Sequence, residues 1–123
     1  MLGKFSTHAN FSVDDLEKAK SFYVDKLGFS VKRENAYEMM LETDAGTRVN
    51  IYLKQDHKAW DSTVFGVEVE DVRESVQNLK SSGVEVEKIE GADEEGVMSY
   101  PEYGDAAWFK DPAGNWICIS KIN

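Results

Sequence analysis

Hydrophobic and polar residues alternate in His8-Ala9-Asn10-Phe11-Ser12-Val13, placing Ala9, Phe11 and Val13 on one face of a strand. The period then lengthens. Leu16, Ala19, Tyr23 and Leu27 recur at helical spacing, and Phe22 widens the stripe. Asp14 with Glu17 has the spacing of a capping box, and Gly28 supplies a left-handed stop. Three strand-like runs follow: Phe29–Arg33, Tyr37–Leu41 and Arg48–Leu53. The second half repeats this order. Phe65, Val67 and Val69 alternate, Asp71 offers a cap with Glu74 three residues on, Val72, Val76 and Leu79 form a stripe, and Gly83 ends it. The runs Val84–Glu87, Ala106–Lys110 and Trp116–Ile119 complete the second unit. In each half the last two runs are joined by a turn with Asp and Gly, Asp44–Thr47 and Asp111–Asn115.

The chain therefore reads β-α-β-β-β twice, as an internal repeat. Asp15 and Asp71 are 56 residues apart, whereas Gly46 and Gly114 are 68 apart. The difference of 12 is an insertion in the second half, and the acidic, Gly-containing stretch Glu90–Ser99 predicts a surface loop there.

Composition narrows the function. With 123 residues the chain makes one compact domain or two small halves, long enough to bury roughly two-thirds of its unfolded surface. Fourteen Lys and Arg against 23 Asp and Glu give a net charge of −9, which disfavours nucleic acid and anionic lipid as partners. No apolar run is long enough to span a membrane. Met1-Leu2-Gly3-Lys4-Phe5 lacks the apolar stretch of a secretory signal, and the single cysteine, Cys118, excludes an internal disulfide. A cytoplasmic location is the expectation. The chain has no Gly-rich phosphate loop, nucleophile elbow or paired-Cys zinc pattern.

Phe11–Leu16 with Phe22–Phe29, and Trp108-Phe109-Lys110-Asp111-Pro112-Ala113-Gly114-Asn115, resemble the signatures of the vicinal oxygen chelate superfamily. That group includes glyoxalase I, extradiol dioxygenases, fosfomycin-inactivating transferases and bleomycin-binding resistance proteins. The resemblance implies an α+β fold. Two tandem βαβββ modules, about residues 4–55 and 61–122, would form a half-open eight-stranded barrel, with helices on the convex face and a ligand cleft on the concave one. It also implies a homodimer.

Metal-using members of that superfamily take ligands from four strand positions. Here these hold His8, Asn50, Val64 and Cys118: one imidazole, one amide, one hydrocarbon and one thiol. A catalytic divalent ion needs about three suitable ligands. The expectation is therefore no bound metal and no cofactor, with His8 as a polar wall residue and Cys118 as a small filler. His57 lies in a polar run outside the alternating strands.

Alternation places His8, Asn10, Tyr37, Met39, Leu41, Arg48, Asn50 and Tyr52 in the cleft from the first module. From the second it places Val64, Gly66, Glu68, Trp108, Lys110, Trp116, Cys118 and Ser120 there. As ligand-binding residues this reading selects His8, Asn10, Tyr37, Met39, Arg48, Asn50, Tyr52, Trp108, Trp116 and Cys118. The wall they form is aromatic and soft, suited to a flat or amphipathic organic molecule. Trp108 and Trp116 serve equally as ligand platforms or as dimer packing. The acidic residues Glu90, Asp93, Glu94, Glu95, Glu102 and Asp105 either favour a cationic ligand or are simply solvated. Three functions are open: a metal-independent small-molecule binder like the drug-sequestering members, a metal-dependent lyase, isomerase or dioxygenase built around His8, and a regulatory dimer whose cleft is filled by its own side chains.

Overall fold

The computed structural model describes residues 1–122. The chain divides into two compact units, Met1–Lys58 and Ala59–Asn123, each carrying one four-stranded mixed sheet. Together they are two βαβββ modules of an α+β fold.

In the first unit, β1 (Ala9–Val13) leads into α1 (Leu16–Lys20), which runs on as a π-turn over Ser21–Lys26. The strands β2 (Ser30–Glu34), β3 (Glu38–Glu42) and β4 (Arg48–Leu53) follow. The sheet order is β1-β4-β3-β2, with β1 parallel to β4 and the other pairs antiparallel. Asp15, not Asp14, caps α1: its carboxylate accepts from the Lys18 N–H at 3.0 Å. Asp14 lies one residue too early to reach an N–H of the first turn. The π-turn shifts the helical period, and Leu27 N–H bonds back to the Phe22 carbonyl at 3.1 Å. Phe22 and Tyr23 are both buried as a result, and the Tyr23 ring meets Phe11, Phe22 and Phe29 at centroid distances of 6.0, 5.1 and 6.0 Å. Phe11 thus marks the sheet face that packs on the helix.

The second unit holds β5 (Thr63–Val69), α2 (Val72–Ser81), β6 (Met98–Tyr100), β7 (Gly104–Lys110) and β8 (Trp116–Lys121), in sheet order β5-β8-β7-β6. Asp71 caps α2 by accepting from the Glu74 N–H at 3.0 Å, Val72 and Val76 are buried, and α2 packs on β7 and β8. Gly83, at φ 82°, stops the helix as expected.

Two expectations for this unit are corrected. Val84–Glu87 is not a strand; it makes only one bridge, Val86 to Phe109. The fourth strand is β6, drawn from the stretch read as a surface loop. Val97, just before β6, is 2% exposed, so the insertion contributes to the core. Physically, Val84 and Val86 are buried but are followed by polar residues, while Val97 and Met98 bring the apolar surface that completes the edge of the sheet.

Candidate functional site

Opposite residues on neighbouring strands share a face, so register sorts the side chains. In the first unit Phe11, Ile51 and Met39 are aligned, as are Val49 and Leu41, and all five are buried on the helix side. The other face carries Asn10, Asn50 and Met40 in one row and Ser12, Tyr52 and Glu38 in the next, with Arg48 opposite Glu42. Met39 and Leu41 are therefore not on the face of Asn50; Met40 is. Met39–Leu41 are buried on both sides of the strand, so alternation in polarity vanishes there and only pairing reveals orientation. Tyr37 is 74% exposed and precedes β3, its backbone fixed by Asn35 and by the N–H of Leu53. Met39 instead borders a groove of about 640 Å³ near the start of α1, together with Leu16, Leu53, Glu17 and Glu38.

His8 lies ahead of β1 and is exposed. Asn50 is 9% exposed, and its side-chain amide N–H donates to Asn10 Oδ1 at 3.0 Å. Arg48 donates to Ser6 Oγ at 3.3 Å. The residue that sequence reasoning missed is His57. A turn after β4 folds it back so that its Nδ1 lies 2.6 Å from Ser12 Oγ, on the same face as Tyr52. The polar run around His57 gave no periodic signal for this return.

In the second unit register places Lys110 opposite Trp116, Trp108 opposite Cys118, and Gly66 opposite Cys118 on the other side. These residues share one face, while Phe109, Ile117 and Ile119 are buried on the helix side. Val64 falls at a β-bulge, and Thr63 stands opposite Trp116 in its place. Thr63 is the second residue that the sequence did not reveal. Its Oγ1 accepts from the Trp108 indole N–H at 3.1 Å, two strands away, so the indole lies across β8. Both tryptophans are partly exposed. Lys110 Nζ sits 4.6 Å from the centre of the Trp116 ring and 3.4 Å from Glu87. The turn Asp111–Asn115 that joins β7 to β8 is tied by one side chain: Asp111 accepts from the N–H groups of Ala113 and Asn115 and from the Asn115 amide at 2.9, 2.9 and 3.0 Å.

The acidic loop has a resident cation. Arg73 on α2 pairs with Asp93 at 2.8 Å and Glu95 at 2.9 Å, and its Nε is 4.0 Å from Asp105. Asp105 alternates with Ala107 and Phe109, so it belongs to the helix side of the sheet, opposite the tryptophans.

The residues at the four candidate metal positions are poorly matched to a divalent ion. Asn50 already has an amide partner, and Val64 has no lone pair. Burial pushes the Cys118 thiol up in pKa, and its proton points to the Ile119 carbonyl at 3.5 Å. Among the described residues no three of His, Cys, Asp and Glu come together as a metal centre needs. Among the described residues no helix is long and apolar enough to cross a membrane.

Comparison with known proteins agrees with this architecture. A glyoxalase family protein from Enterococcus faecalis is 22% identical, covering 98% of this chain and 99% of its own, with a TM-score of 0.77. Lactoylglutathione lyase from Agrobacterium tumefaciens is 15% identical over 95% of this chain and 92% of its own, with a TM-score of 0.74. The fosfomycin resistance protein FosX from Listeria monocytogenes is 15% identical over 97% and 93%, also with a TM-score of 0.74. No curated protein matches the chain significantly. The family profile described as Glyoxalase/Bleomycin resistance protein/Dioxygenase superfamily matches residues 6–119, and the chain belongs to that superfamily.

Proposed function

We propose that this protein is a metal-independent small-molecule binder that holds a flat aromatic ligand on the sheet face of its second unit, comparable to the drug-binding side of its superfamily. The carrying observation is the Trp108 indole, laid across β8 by its bond to Thr63, beside the partly exposed ring of Trp116. A fixed, half-exposed indole offers stacking surface with little entropy left to lose on binding. Small residues, Cys118 and Gly66, share the row of Trp108 on this face. A homodimer is part of the proposal, and sedimentation of the purified protein tests it.

The test is a tryptophan-fluorescence titration across a panel of planar organic compounds that includes a bleomycin-type glycopeptide. Saturable quenching that is weakened by Trp116→Phe and retained by Trp60→Phe supports the reading. A flat response across the panel overturns it. Stoichiometric Zn, Fe, Mn or Ni that is lost on His8→Ala would put a metal-dependent lyase, isomerase or dioxygenase in its place.

A further inference from the structure

We propose that the ligand of this aromatic face is an anion, an aromatic carboxylate or a compound of similar charge, whose acidic group is set against Lys110. The inference rests on the binding reading above and names the class of ligand.

Three observations carry it. First, Lys110 already stands over Trp116, with Nζ 4.6 Å from the ring centre. An exposed cation–π contact is worth about 0.5–1 kcal/mol, so a cationic ligand must displace Lys110 or bind beside a like charge. Second, the acidic residues that would draw a cation are directed elsewhere: Asp93, Glu95 and Asp105 surround Arg73 on the helix side. Third, the carboxylate that β5 adds to the tryptophan face is remote, so the acids near Lys110 are those of the stretch bridged to β7, Glu87 and, by the Val86–Phe109 register, the exposed Glu85. Glu68 stands opposite Ser120, four residues along β8 from Trp116. At the rise of a strand that is about 13 Å, beyond the Debye length at physiological salt.

Glu87 is the competitor. It pairs with Lys110 at 3.4 Å, and the two side chains are 30% and 43% exposed. Such exposed pairs contribute little, and an ammonium has three N–H donors, so a ligand carboxylate can share or replace Glu87. The site then reads as a stacking platform with a positive rim at the Trp116 end.

The experiment titrates one ring with three charges: 2-naphthoate, 2-naphthalenemethanol and 2-naphthylmethylammonium, by calorimetry at low salt. The expected order is naphthoate tightest and ammonium weakest, with about fivefold between the extremes, in keeping with the size of exposed charge pairs. Added salt narrows the gap. Lys110→Gln removes it, and Glu87→Gln tightens naphthoate binding. Equal binding of all three, or preference for the ammonium compound, overturns this inference and leaves the aromatic platform standing. Binding of none of them overturns both.

Discussion

Asp111 shows how one side chain can fix the end of a sheet. It is 5% exposed, and its carboxylate gathers the N–H groups of Ala113 and Asn115 and the Asn115 amide. Asp111→Ala would leave buried donors unmet, and we expect a loss of about 3 kcal/mol in urea unfolding, with Asp111→Asn losing less. Asp93 is the opposite kind of residue, exposed and electrostatic. The Val97 N–H, first, and Arg73, second, hold its carboxyl below the ordinary value of 3.8. A group whose folded pKa is lowered stabilises the protein above the unfolded value and ceases to do so as pH falls through the folded one. The difference in urea midpoint between the natural chain and Arg73→Gln should therefore be visible near neutrality and fade as pH falls below 3.8 and through the lowered folded value. A difference unchanged across that range would contradict the ion-pair account. At this scale the sequence revealed which tryptophans share a face with Cys118, because Ile117 and Ile119 alternate cleanly with them. It hid the partners of Ser12 and Trp108, because His57 and Thr63 arrive through a loop and a bulge that have no period.

Among the elements, the two helix starts give a paired test. Asp15 and Asp71 cap α1 and α2, and Ala at either position should cost about 1 kcal/mol, whereas Asp14→Ala should stay within about 0.5 kcal/mol. Gly96 tests the corrected reading of the insertion. Its φ is +86°, and an added Cβ would meet Val86 Cγ1 at 2.7 Å and the Glu87 carbonyl at 3.1 Å. Gly46 has a similar φ of +84° with open space around it. Gly96→Ala should lower the melting temperature clearly more than Gly46→Ala, whose cost is the left-handed backbone alone, about 1–2 kcal/mol. Equal shifts would mean that the stretch before β6 is not packed on Val86. The strand–helix–stop order was legible from caps and stripes in both halves. The faces of β3 and the identity of β6 were not. Met39–Leu41 form an unbroken apolar run, and Val84–Val86 and Val97–Met98 both have the apolar residues that a strand edge requires, so only pairing decides between them.

For the whole molecule, the repeat is the main organising fact, and it was readable because cap, stripe, glycine stop and Asp-Gly turn recur in one order. Function was less legible. What the sequence does say is that the metal positions hold His8, Asn50, Val64 and Cys118, and the structure adds the surroundings of the last three: an amide donating to the Asn10 side chain, a β-bulge, and a thiol whose pKa burial raises. The acidic loop allowed either a cationic ligand or plain solvation, and three of its carboxylates, on Asp93, Glu95 and Asp105, face Arg73, a residue some 20 positions from Asp93 whose partners cannot be read from periodicity. The central claim is that binding proceeds by contact with the indoles and without an ion. Its most direct test is the affinity for 2-naphthoate measured before and after exhaustive chelation. Equal affinities are predicted, and binding that disappears with the chelator and returns with a divalent metal would contradict the account.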